Sequence, residues 1–496
     1  MEQEITNRDN QILNVIKEYW LLISILLLTL AAQLYFLFNT NITQWWDSAS
    51  YLFSGKHYAF GYPYKLEIQR PPLFMYLIGL LMTFRLTEKI IILLLVLLPA
   101  VAAVACTYLF AKEIFNKYTG LIAAGLAAVG WNFLFWSNRA QPDFFSICFQ
   151  LLGLTFFWRM LKPENDSNKN KYAILAGAFC ALAFHFKISA LLIPLSLFIF
   201  AVIKERLSIL KKKEYWLFLG SYALVMLPYF IWAYFTFGNP LAFTTGYSAN
   251  VGTPAPFAWH VLSFFSIFGL RVLYYSFIFG LILCLRVLLY SDIILKDKER
   301  AFDPRLLLLI TILVTICFYI FYIKGVEDRW VFILIPLMCS IAAMFIYFVA
   351  EKIGKYYKWA AVLFVLVMLG FSGYEQFNLG KQNIEVKELT YFQVKEAAEW
   401  IKANSNPNEI TMSISYPQML YYSDRPITSF SGMNQSEFER YLQENHPVYL
   451  MLSRYEPHPP WSYYWVINET TSVPVWAAYF DDAKTQPAVV IYRLLY

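Results

Sequence analysis

The stretch WWDSASYLFSGKHYAFGYPYKLEIQRPPLFMYLIGLL, residues 45–81, decides how this chain is built. It follows an apolar run, Trp20 to Phe38, of the length that crosses a hydrocarbon core as helix. It places one acid, Asp47, after two tryptophans, continues through aromatics, and ends in Arg70-Pro-Pro-Leu. Whether the apolar segment 71–84 crosses the bilayer again sets the side of every later loop.

With 496 residues, 59% of them hydrophobic, the chain is not an ordinary soluble globule. The run Trp20–Phe38 is too long for the apolar part of a signal peptide and has no small-residue cleavage site after it, so it is expected to be retained. Aromatics reach 19% and gather at run ends, where interfacial belts form. All six cysteines (Cys106, Cys148, Cys180, Cys284, Cys317, Cys339) lie inside apolar runs without zinc-site or disulfide spacing, and read as small core residues. The net charge of +6 belongs to basic loops and implies no nucleic-acid partner.

Candidate spans are 20–38, 89–111, 119–136, 142–160, 172–185, 188–203, 215–237, 262–285, 306–323, 330–350 and 359–375. If 71–84 stays on one side, the loops at 112–118, 159–171, 204–213, 286–305 and 351–358 share the side of the N-terminus and carry 19 Lys and Arg between them. The opposite side of this region then has only Arg139, Lys187, Lys324 and Arg329. Were 71–84 to cross, the positive charge would sit outside, against the positive-inside rule. We therefore expect eleven spans, an interfacial helix at 71–84, a cytoplasmic N-terminus and an extracytoplasmic C-terminus in a multi-pass cell-membrane protein. Asp47, Arg70, Arg139, Asp143, Lys187 and Arg329 then meet on the outer face, each near a span end.

Residues 380–496 change character. YFQVKEAAEWIKANSNPNE reads as an amphipathic helix, and EITMSIS, HPVYLML, VPVWAAYF and AVVIYRLL as strands. The expected architecture is a helical membrane domain, 1–379, with outer loop 39–88, and an extracytoplasmic α/β domain, 380–496.

Charges at a membrane span are costly unless they face protein or water. Snorkelling explains any one Lys or Arg equally well, but four cations and two carboxylates on one face are harder to dismiss. Asp47 reads as a poorly solvated carboxylate with a raised pKa, suited to general-base work, or as the N-cap of a short helix at SASYLF. The cations suit an anionic leaving group or phosphate. Asp143 is expected to cap its helix and hold Arg139. His57 lies in the first outer loop, His185 flanks Lys187, and His260 lies in the long loop after 237; His446 and His458 have no visible partners. Without an HxxH, HExxH or DxD spacing, no cofactor is expected and a metal site is unsupported.

Taken in order, these pieces resemble the membrane C-type (GT-C) glycosyltransferases, in the branch of protein O-mannosyltransferases and the aminoarabinose transferase of lipid A. The similarity rests on WWDSASYLFSGKHYAFGYPY followed by RPPLFMYL, FAKEIFNKYTGLIAAGLAAVGWNFLFWSNRAQPDFF, AFHFKISALLIPLSL, EDRWVFILIPLMCSIAA and the tail from Tyr391. It implies that Asp47 is the catalytic base, that Arg70, Arg139, Lys187 and Arg329 bind the phosphate of a polyprenyl-phosphate sugar, and that transfer inverts the anomeric centre. Tyr51, His57, Tyr62, Tyr64, Glu67, Asp143, His185 and His260 are then the pocket candidates. The partners would be the lipid-linked sugar, membrane lipids, and an acceptor hydroxyl on protein, lipid or glycan. Many relatives carry a second acid directly after the loop Asp; here that residue is Ser48, which weakens any metal bridge, although Glu67 lies nearby. A polytopic transporter and a non-catalytic binder of polyprenyl-phosphate sugars are the competing readings; the oligosaccharyltransferase catalytic subunit is disfavoured, because its W-W-D-Y-G motif belongs in the C-terminal domain and here WWD lies in the first loop without the Tyr-Gly.

Overall fold

The computed structural model describes residues 2–64, 66–68, 70–245, 271–289, 304–323, 328–468 and 472–496. Among them, eight helices are long and apolar enough to cross a membrane: Lys17–Asn39, Glu88–Ile114, Asp143–Leu161, Ile188–Lys211, Lys213–Phe237, Pro304–Ile323, Leu334–Gly354 and Lys358–Asn404. The other three expected runs are helical but shorter, broken or only partly described. The run 119–136 divides into Lys117–Val129 and Trp131–Trp136, because Gly130 takes a ψ of 125° that leaves the helical region. Residues 172–185 fall in Lys169–Phe186, and Arg271–Leu289 covers the described part of 262–285.

The doubtful segment forms Leu73–Thr83, a helix of 11 residues. At 1.5 Å per residue it is about 16 Å long, roughly half a hydrocarbon core. It packs against Trp46–Phe60, which ends at Gly61 in the left-handed region (φ 73°). The two helices meet through Gly55 and Gly79: a Cβ on Gly55 would stand 3.0 Å from Ile78 Cβ and 3.3 Å from Gly79 N. Only glycine permits so close an approach.

Three basic loops gather at one end of the bundle. Glu113 pairs with Arg159 at 2.9 Å and Lys162 at 2.8 Å, and Lys169 pairs with Glu214 at 2.9 Å. Helix Glu88–Ile114 runs from the outer-loop end at Glu88 to this basic end. Five of the six cysteines are buried and Cys317 is half-buried.

Helix Lys358–Glu388 continues without a break through position 379, and the C-terminal domain proper opens with Phe392–Asn404. Its sheet has the order β2-β1-β3-β5-β4, with β1 Thr411–Ser413, β2 Ile427–Thr428, β3 Tyr449–Ser453, β4 Ser472–Tyr479 and β5 Pro487–Leu494. β1 runs parallel to β2 and β3, while β5 lies antiparallel between β3 and β4. Strand alternation divides β3. Leu450 and Leu452 face Phe438 and Trp465, whereas Tyr449 and Met451 join the core shared with Ile401 and the membrane helices. The short β2 had no sequence signal, being two residues directly after Pro426.

Helix Tyr416–Ser423 seats this domain on the first outer loop. Gln44 N–H donates to Tyr422 Oη at 2.9 Å, Tyr421 Oη donates to Glu88 at 2.8 Å, and Lys56 bridges Asp424 at 2.6 Å.

Candidate active site at the outer-loop end of the bundle

Asp47 lies in the first turn of Trp46–Phe60, where the helix dipole favours an acid. It is not the N-cap that the SASYLF pattern predicts; Trp45 occupies that position without a side-chain cap. Nor is Asp47 alone. Arg70 Nη2 donates to its Oδ1 at 2.7 Å, and Arg329 Nη1 stands 2.5 Å from its Oδ2. Burial by itself would raise the carboxyl pKa, but the two guanidinium groups outweigh it and hold Asp47 well below the usual carboxylate range. The raised pKa expected from its aromatic surroundings is thus corrected: the sequence could not show that a distant Arg329 folds onto it. Arg70 also meets Glu67 at 3.1 Å and lies over the Tyr51 ring at 4.7 Å. Burial pushes the Tyr51 hydroxyl up to about 12.

Asp143 begins helix Asp143–Leu161, and its partner is Lys187, not Arg139. Lys187 Nζ also donates to the Arg329 carbonyl at 2.9 Å. Asp47, Arg70, Lys187, Arg329, Tyr51, Glu67 and Asp143 all line one cavity of about 480 Å³. Three cations and three carboxylates thus converge from the first outer loop and from the beginnings of three helical segments.

Arg139 does not join them. It is fully buried, with its Cζ 4.3 Å from the Trp45 ring and 4.0 Å from Phe135, and it is not among the residues that line the cavity. It stands apart from the other three cations to which the resemblance gives a phosphate role. Tyr62, Tyr64, His57 and His185 also stay off the cavity wall. His57 Nδ1 donates to the Tyr62 carbonyl at 2.6 Å, Tyr64 Oη to Glu67 at 3.0 Å, and His185 Nε2 to the Val225 carbonyl at 2.8 Å. These are internal bonds of a loop and of a helix pair. His260 lies outside the described residues.

Sequence reasoning missed Trp46, Gln141, Phe186, Tyr319 and Trp330, which also line the wall. Tyr319 and Trp330 stack with ring centroids 6.1 Å apart. Proximity to Asp47, Asp143, Lys187 and Arg329 along the chain was the available signal for all but Tyr319. Among the described residues, no group of three or more His, Cys, Asp or Glu gathers to hold a metal ion.

Residues 69–232 match the family described as dolichyl-phosphate-mannose-protein mannosyltransferase. In structure the chain is similar to ArnT from Cupriavidus metallidurans bound to undecaprenyl phosphate, at a TM-score of 0.65 and 12% identity, covering 96% of this chain and 98% of that one. It is also similar to the archaeal oligosaccharyltransferase AglB from Archaeoglobus fulgidus, solved with an inhibitory peptide and a dolichol-phosphate. There the TM-score is 0.64 and the identity 14%, covering 88% of this chain and 70% of that one. No curated protein matches in sequence. The chain thus has the multi-pass membrane fold of the GT-C glycosyltransferases ArnT and AglB, and over residues 69–232 it matches a mannosyltransferase family.

Proposed function

We propose that this protein moves a sugar from a polyprenyl-phosphate donor to an acceptor hydroxyl at the extracytoplasmic membrane face, with inversion. The observation that carries the reading is the cavity in which Asp47 sits between Arg70 and Arg329 with Lys187 opposite. ArnT and AglB, which share the fold, are described with undecaprenyl phosphate and dolichol-phosphate respectively. The basic loops face the cytoplasm, as the positive-inside rule requires, which puts the cavity and the domain from about residue 380 onward on the outer side.

In this mechanism the donor phosphate competes with Asp47 for the Arg70 and Arg329 guanidinium groups. As those cations turn to phosphate, the Asp47 carboxylate is released and regains basicity. It takes the proton of the acceptor hydroxyl while that oxygen attacks the anomeric carbon from the face opposite the phosphate. The bond from the anomeric carbon to the phosphate oxygen breaks, and its electron pair stays on the phosphate. Arg70, Arg329 and Lys187 neutralise the charge that develops there. A single displacement of this kind inverts the centre.

Asp47→Asn tests it. Transfer to the acceptor should vanish while binding of polyprenyl phosphate to the purified full-length protein persists. Transfer that survives the substitution removes Asp47 as base, and a transporter or non-catalytic binder would show no transfer in either form.

A further inference from the structure

Arg139 is the largest fully buried side chain that the cavity does not use. Only one of its bonds is accounted for: Nη1 donates to the Phe135 carbonyl at 2.8 Å, whereas Nε and Nη2 have no hydrogen-bond partner among the described residues. A buried cation so poorly hydrogen-bonded is costly. Its compensation is aromatic: Trp45 at 4.3 Å, Phe135 at 4.0 Å and Trp136 at 5.7 Å surround the guanidinium. Burial pulls its pKa down to about 9, with Asp328 opposing, so it remains charged at neutral pH.

The rings of this cage link Arg139 to the two segments that carry the reacting groups. Trp45 precedes Asp47 by two residues. Trp136 donates its indole N–H to Asp328 at 2.7 Å, and Asp328 is the neighbour of Arg329, which closes the circuit at Asp47. The backbone beside Arg139 reinforces the arrangement: Ala140 N–H donates to Gln44 at 3.1 Å, and Gln141 donates to Ser48 Oγ at 3.0 Å. Segment 139–141 thus lies along 44–48 and grips it on both sides of Asp47.

We propose that Arg139 is a positioning residue which, through the Trp45 and Trp136 rings, sets Asp47 and Arg329 at their contact distance. The inference rests on the reading of Asp47 as base. It departs from the phosphate-ligand role, because a caged guanidinium acts through its neighbours and not on the donor. The charged and titratable groups around Asp47 are Arg70, Arg329, Lys187, Glu67, Tyr51 and Asp143.

The test compares full-length protein with Arg139→Met and with Trp136→Phe, which keeps a ring beside Arg139 but loses the bond to Asp328. Both should lower transfer by about tenfold or more, the scale of a small misplacement of a reacting group. In both, Arg329 loosens from Asp47, so the acid limb of the kcat/KM profile, which reports the free protein, moves to higher pH. A residue that merely supports folding would reduce the amount of active protein and leave the profile in place. A phosphate ligand would weaken polyprenyl-phosphate binding as strongly as Lys187→Ala does. Either result overturns the inference. Asp47→Asn is measured alongside: transfer that survives it overturns both readings, whereas an inactive Asp47→Asn with unmoved profiles in the two cage variants overturns this one alone.

Discussion

Arg329 and Asp47 come from opposite halves of the chain and meet at 2.5 Å, each the other's nearest counter-charge on the cavity wall. Arg70 completes the triad at 2.7 Å. A carboxylate held by two guanidinium groups is a poor base until something draws them away, and an arriving phosphate is suited to do so. The resting contact therefore couples donor binding to the activation of Asp47.

Arg329→Met removes one of the two cations that hold the Asp47 pKa down. Because that pKa is lowered in the fold, the pairing stabilises the protein above the ordinary carboxylate value and is lost as pH falls toward the folded value. In the variant the folded value lies closer to the ordinary one, so the loss is smaller and is complete at a higher pH. Polyprenyl-phosphate binding should weaken about tenfold to a hundredfold, the worth of a charge-assisted hydrogen bond. Titrated unfolding and a lipid-phosphate binding assay check the two effects.

Lys187→Ala leaves Asp143 buried, 3% exposed, without its cation. Stability should drop by about 3 kcal/mol. Adding Asp143→Asn should recover part of that loss, since the uncompensated charge is gone, while phosphate binding stays weak. Thermal unfolding in detergent and the same binding assay separate the two effects.

Gly55→Ala drives a methyl group into Ile78 and the backbone of Gly79. The helix carrying Asp47 and the short helix after Arg70 must then part, at a cost of about 1–3 kcal/mol. Transfer should fall with stability, because that separation also shifts Asp47 relative to Arg70. A variant with unchanged unfolding temperature and rate would contradict the close packing.

Asp424 sits between Lys56 of the outer-loop helix and Lys402 of the C-terminal domain, at 2.6 and 2.5 Å. Burial would raise its pKa, but the two lysines hold it below the ordinary value. Asp424→Asn should destabilise by about 2 kcal/mol, in the range of hydrogen bonds to charged groups. Limited proteolysis should show the C-terminal domain released from the bundle more readily than in the parent protein.

His458 is buried and accepts the Ser453 N–H at 3.1 Å; burial lowers its pKa to about 4 from 6.5. Between those values the unfolded chain binds a proton that the fold refuses, so stability falls as pH drops from about 6.5 to about 4, by roughly 3 kcal/mol at most. His458→Gln should flatten that slope in acid-unfolding curves of the full-length protein.

Much of this protein is written locally. Runs of twenty apolar residues can only be helices in a membrane, because an unpaired peptide group in hydrocarbon is too costly. The shortness of 73–83, the charge of the loops and the period-two strands after 409 are equally local. From them followed the helical bundle, the outer loop and the candidate cluster of Asp47, Arg70, Arg139, Asp143, Lys187 and Arg329.

The tertiary structure alone decided who pairs with whom. Asp143 chose Lys187 over the Arg139 four residues before it, and Arg139 left the cavity for an aromatic cage assembled from Trp45, Phe135 and Trp136. The pKa of Asp47 moved down instead of up for the same reason. Burial is a tendency of composition and can be read along a chain. An ion pair depends on a few ångströms between groups that only folding brings together.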